Sequence, residues 1–178
     1  MRKIIYYVAT SLDGYIAGKN GDVSMFAHEG EGVEQYAYDL ESFDTVIMGR
    51  NTYEFGYQYG LKPGQQAYPN MEHYIFSNKL SFEKPCEKVH VMPIQLEALK
   101  DLKNEVGSDI YLCGGGTFAG WLLENGMIDE LKLKVNPVLV GEGIRLFGSY
   151  QVGNRLQVLH HQSYDDGFQI IRYQIINN

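Results

Sequence analysis

Cysteine, tryptophan and proline are scarce in this chain, at two, one and five of its 178 residues. Cys86 and Cys113 lack C-x-x-C spacing and could form at most one bridge, so no disulfide framework is expected and a reducing compartment is. Histidine is equally thin. His28, His73, His90, His160 and His161 show no i, i+4 or paired Cys/His spacing, so no metal site is expected. No stretch approaches the ~20 consecutive apolar residues of a membrane span, and the opening run Met1-Arg-Lys-Ile-Ile-Tyr-Tyr-Val is broken too early, by Thr10, Ser11 and Asp13, to be a signal segment. A cytoplasmic protein is the expectation. Basic residues are outnumbered, 15 against 22 acidic, for a formal net charge of −7. That balance repels nucleic acid and anionic membranes at long range, and any bound phosphate needs a local device to hold it. No G-x-S-x-G elbow is present, which removes the common hydrolase reading. No repeat and no Pro- or Ser-rich linker divides the chain, and its length suits one domain over residues 1–178.

What the chain does have is a hydrophobic content of 44% arranged as short β-branched runs alternating with amphipathic stretches, the pattern of a sheet with crossover helices. Strands are expected at 3–9, 45–48, 73–76, 88–91, 110–113, 130–135, 156–161 and 168–175. Helices are expected at 31–40, at 96–105, where Leu96, Leu99 and Leu102 keep helical spacing, and at 117–124, with Thr117 as N-cap and Gly126 beyond its end. The last two strands are separated only by Ser163-Tyr-Asp-Asp-Gly167, a hairpin-type loop, so the sheet should be mainly parallel with an antiparallel end. In the first of them, His160 and His161 would face opposite sides. Residues 60–70, with Pro63, Gly64 and Pro69, read as a surface loop.

Three junctions carry chemistry. At Ile110-Tyr-Leu-Cys-Gly114-Gly115-Gly116-Thr117, an apolar strand runs into three glycines and a helix start. Backbone amides freed of side chains at a helix N-terminus suit a phosphate, while a tight turn needing positive φ is the plainer alternative. The run satisfies G-x-G-x-x-A, yet the next strand lacks the acidic end of a Rossmann unit, and no P-loop ending follows. At Met48-Gly49-Arg50-Asn51-Thr52-Tyr53-Glu54 a second strand reaches a helix with an arginine able to grip a phosphate, or to stand as a solvated charge. The third is Ala9-Thr-Ser-Leu-Asp13-Gly14-Tyr-Ile16, most simply a turn, followed by a Gly-rich stretch through Gly21, Gly30 and Gly32 suited to a loop over a pocket. Tyr36, Tyr38, Tyr53, Tyr57 and Tyr59 cluster near the expected pocket and read as ordinary packing residues.

Together these segments resemble the dihydrofolate reductase-like family, and within it the reductase domain of bacterial riboflavin biosynthesis, over nearly the whole chain. Met48 to Glu54 looks like the segment of the folate enzyme whose arginine contacts the 2′-phosphate of NADPH, and Phe76-Ser77-Asn78 like the strand end receiving that phosphate and the adenine. Ser11 to Ala17, Cys113 to Gly116, Glu124 to Glu130 and Asn136 to Gly143 look like the riboflavin-type reductase. The resemblance implies a three-layer α/β/α fold with a mainly parallel central sheet of about eight strands and an antiparallel C-terminal hairpin. It implies NADPH held by Gly49, Arg50, Asn51, Thr52, Ser77, Asn78, Gly114, Gly115, Gly116 and Thr117, with Ala9 and Ile16 lining the nicotinamide. It also implies a cis peptide bond between Gly114 and Gly115, a homodimer, and reduction of a small heterocycle of the 5-amino-6-(5-phosphoribosylamino)uracil type. Two departures bear on the substrate. Residues 20–40 lack the tryptophan of folate reductase, and Tyr7 and Cys113 stand where the riboflavin-type pattern has Lys and Glu. Asp13, Glu31 and Glu34 are the candidate proton donors. Reduction of a dihydrofolate or pterin, and a non-catalytic NADPH-binding protein, are the alternative readings.

Overall fold

An apolar run that does not alternate marks a strand covered on both faces, and the chain opens with one. In the computed structural model, which describes residues 1–150 and 153–176, Ile4–Ser11 forms β1, with Ile4, Ile5, Tyr6 and Tyr7 all buried. Thr45–Gly49 (β3), Glu72–Phe76 (β4), Val89–Met92 (β5), Ile110–Gly114 (β6) and Glu130–Asn136 (β7) share its direction. Arg155–Ser163 (β9) and Gln169–Ile176 (β10) add an antiparallel hairpin, and the sheet order is β5-β4-β3-β6-β1-β7-β10-β9. All eight expected strands are present.

Alternation across β1, β3 and β6 sorts the core into two layers. Ile4, Tyr6, Ile47, Ile110 and Leu112 face α3 (Leu96–Asn104) and α4 (Gly116–Glu124), packing with Leu99, Leu102, Phe118 and Leu122. Ile5, Tyr7, Val46, Met48 and Tyr111 face the other way, onto Tyr36 and Leu40 of α1 (Glu31–Leu40) and Tyr53 of α2 (Arg50–Phe55). The result is the three-layer α/β/α arrangement. Among the described residues no helix is long and apolar enough to cross a membrane.

Two features depart from the sequence reading. Tyr15–Gly18 (β2) pairs with Gly143–Arg145 (β8) in a separate two-stranded sheet, too short to leave a periodic signal. The last helix begins at Gly116 with Gly115 as its cap, so Thr117 lies inside the first turn and is not the N-cap. The missing Cβ explains the earlier start: Gly116 rests against backbone, and a Cβ there would lie 2.2 Å from the Arg145 carbonyl oxygen.

Candidate active site

The sheet order brings the C-terminal ends of β4, β3, β6, β1 and β7 side by side, and a cleft of about 1000 Å³ runs across them. Open α/β sheets take their ligands at this edge. Ser77, Gly49, Cys113, Ala9 and Lys134 mark the five strands along its floor.

At the β3 and β6 end, Gly49, Arg50, Asn51 and Thr52 stand beside Gly115, Gly116 and Thr117, with Ala9, Ile16 and Ser77 also lining the cleft. Helix α4 has no side-chain cap, which leaves its first amides for a ligand. The Gly114-Gly115 peptide bond is cis, as the resemblance implies. Arg50 Nε donates to Glu54 Oε1 at 2.8 Å along its own short helix. The three glycines divide their work. A Cβ on Gly115 would meet Thr52 Oγ1 at 2.8 Å across the cleft, whereas Gly116 and Gly120 let α4 dock on residues 145–147. Two expected residues are absent from the cleft lining: Gly114 faces the Tyr6 ring, and Asn78 Oδ1 accepts from the Ile94 amide at 3.0 Å beside a shallower depression.

The α1 side of the cleft is built of hydroxyls. Tyr36 and Tyr111 share a hydrogen bond of 2.6 Å, and Tyr68 Oη lies 3.5 Å from Cys113 Sγ. Burial pushes the titration of all four groups upward, so the phenols stay neutral and the thiol stays protonated. Lys134 reaches this wall from β7, its Nζ 5.5 Å from the Tyr36 ring centre and 5.4 Å from that of Phe168. Burial lowers its pKa, with Asp166 opposing.

The expected surface loop at 60–70 turns out to supply a wall, through Leu61, Ala67 and Tyr68. His73 holds it in place. The amides of Ala67 and Tyr68 both point at Nε2 from 3.0 Å, which assigns the ring proton to Nδ1, the donor to the Met71 carbonyl at 3.0 Å.

The candidate proton donors lie elsewhere. Asp13 accepts from Ser11 Oγ and from the amides of Val140 and Gly141, contacts that hold its pKa down to about 2 and make it an ionised turn anchor. Glu31 and Glu34 are exposed on the first turn of α1, outside the cleft lining. The sequence reading did not single out Lys134; the signal available was a lysine in the alternation Lys132-Leu-Lys134-Val of an expected strand.

The sequence matches the RibD C-terminal domain family over residues 2–170. The chain belongs to that family. Two Bacillus subtilis (strain 168) proteins of uncharacterized function are similar along their length: YwjB, 31% identical with 95% of this chain and 96% of that one covered, and YyaP, 28% identical with 97% and 94% covered. Among solved structures, a protein of Shewanella sp. PV-4 whose name places it in riboflavin biosynthesis superposes with a TM-score of 0.79 at 25% identity, covering 99% of this chain and all of its own. The deaminase/5-amino-6-(5-phosphoribosylamino)uracil reductase of Thermotoga maritima gives 0.71 at 13% identity, covering 98% of this chain and 57% of the longer one, a likeness of fold.

Proposed function

We propose that this RibD C-terminal domain protein is a cytoplasmic NADPH-dependent reductase of a small heterocyclic substrate. The observation that carries the reading is the junction of β3 and β6, where the uncapped amides of α4 and the bare backbone of Gly115 face Arg50, Asn51 and Thr52 across the cleft. That set fits a dinucleotide: backbone amides and a helix N-terminus for the diphosphate, and a guanidinium for a further phosphate. Bound there, the cofactor supplies a hydride.

The chain's own contribution is orientation. Ala9 and Ile16 offer apolar surface for a ring, and Tyr36, Tyr68 and Tyr111 present neutral hydroxyls that donate or accept hydrogen bonds without adding charge. NADPH consumption, followed by loss of its absorbance against pterins, aminopyrimidines and quinonoid compounds, tests the reading. Turnover of at least one class is expected. Failure of NADPH to bind overturns it.

Arg50 is assigned the choice of NADPH over NADH. A hydrogen bond to a charged group is worth about 1.5–3 kcal/mol, and the 44% exposure of the Arg50 side chain places it at the weak end. Arg50→Ala is expected to weaken NADPH binding roughly tenfold at low salt and to leave NADH binding unchanged. Equal loss for both cofactors rules out the assignment.

A further inference from the structure

Every other buried cation among the described residues has a carboxylate partner. Arg2 bonds to Asp44, and Lys103 Nζ lies 2.6 Å from Asp129 Oδ2. Lys132, two residues before Lys134 and partly exposed, is paired with Asp39 at 2.6 Å. Lys134 is 5% exposed and has neither an ion pair nor a side-chain hydrogen bond among the described residues. An uncompensated buried charge is a standing penalty that folds avoid by pairing or neutralising it. Here the Nζ stands at the cleft wall between two aromatic rings, which stabilise a cation only weakly.

We propose that Lys134 is the anchor for an ionised oxygen on a flat aromatic ring, a phenolate or the enolate oxygen of an acidic heterocycle, with no phosphate on the ligand. The class follows from the surroundings. Tyr36 and Phe168 flank it, and Ala9, its partner across the strand pair, and Phe26 line the same cleft, a setting that suits a ring. The Tyr36–Tyr111 hydrogen bond uses one of the pair's two hydroxyl protons, which leaves one neutral donor for the same oxygen or for a second ring substituent. A phosphate calls for several charged or backbone donors converging on it, and the neighbouring cation on β7, Lys132, is already paired with Asp39 at 2.6 Å. In the β1 and β7 register Lys134 pairs with Ala9. The anchored ring is thereby put next to the surface assigned to the nicotinamide, a placement that rests on the reductase reading, although the anion site does not.

The groups bearing on the charge are few. Asp166, from the loop before β10, favours the ammonium, His28 and the Lys132–Asp39 pair stand nearby, and the Tyr36 phenol is neutral. Ligand affinity should therefore fall as the pH rises through the pKa of Lys134, which burial holds below the ordinary lysine value of 10.5.

The test uses the intact protein without NADPH and three probes, 4-nitrophenolate, nitrobenzene and ribose 5-phosphate, followed by calorimetry and by the phenolate absorbance. Binding of 4-nitrophenolate is expected to exceed that of the other two by at least about tenfold, and the bound phenol should ionise at lower pH than the free one. Lys134→Met should remove both effects and raise the melting temperature at neutral pH, since it deletes an unpaired buried charge; Lys134→Arg should retain part of the binding. The proposal is overturned if nitrobenzene binds as tightly, if ribose 5-phosphate is preferred, or if Lys134→Met leaves the bound phenol's ionisation where it was. NADPH is titrated separately into the same protein. Its failure to bind would sink the reductase reading while leaving the anion site standing.

Discussion

Gly116→Ala is expected to lower the melting temperature by roughly 6–12 °C. The added Cβ would lie 2.2 Å from the Arg145 carbonyl oxygen and 3.0 Å from the Gly148 amide nitrogen, both backbone atoms. No rotamer can relieve that overlap, so α4 must lift off β8 and the turn after it. Overpacking typically costs ~1–3 kcal/mol, and a backbone obstacle puts this case at ~3 kcal/mol, at about 2–4 °C per kcal/mol for a chain of this size. Gly115→Ala is the informative control. Its Cβ meets only Thr52 Oγ1, at 2.8 Å, and a hydroxyl can rotate away. Thermal melts should separate the two glycines, and NADPH titration should reverse their order, with Gly115→Ala folded and weakened in binding. Equal melting temperatures for both variants would contradict this division of labour between Gly115 and Gly116.

His73→Phe is expected to cost roughly 3 kcal/mol or more. The ring fits, but the Ala67 and Tyr68 amides and the Met71 carbonyl lose their partner, at about 1–3 kcal/mol for each buried group left unsatisfied. The same histidine gives the protein an acid limit. Burial holds its folded pKa below the ordinary 6.5, so under mildly acidic conditions the unfolded chain binds a proton that the folded chain refuses. Stability then falls as the pH drops below about 6.5 and continues to fall until the folded value is reached. Denaturant melts of wild type and His73→Phe across that range check the point: the variant should be less stable at neutral pH and lose less on acidification. Parallel pH profiles would remove His73 as the cause.

The inner strands were legible because burial on both faces writes itself as apolar runs, as in Ile4–Val8 and Val46–Met48, whereas β9 is exposed at every position and was located through the hairpin-type loop that follows it. Four residues in β2 and three in β8 carry no period, and the pairing between them is set by distant chain. The site divides in the same way. Gly49 to Thr52 and Gly115 to Thr117 are contiguous strand-to-helix junctions, visible as strings of letters. Tyr36, Tyr68, Tyr111, Cys113 and Lys134 come from α1, a loop, β6 and β7, and only the strand order gathers them. Asp13 shows the converse: a carboxylate in a Gly-bearing turn looks available until its bonds to the amides of Val140 and Gly141 are counted.

The position of β1 bears on how the protein is made. Ile4 pairs with Ile110, and Ile5 with both Tyr111 and Glu130. Strand β1 is therefore made before both of its neighbours and waits for them until β6 and β7 have been synthesised. Long-range pairing of this kind slows folding and leaves sticky segments open in the meantime. During translation the apolar run Ile4-Ile-Tyr-Tyr-Val8 is an unpaired edge on both sides, open to wrong partners until β6 and β7 arrive.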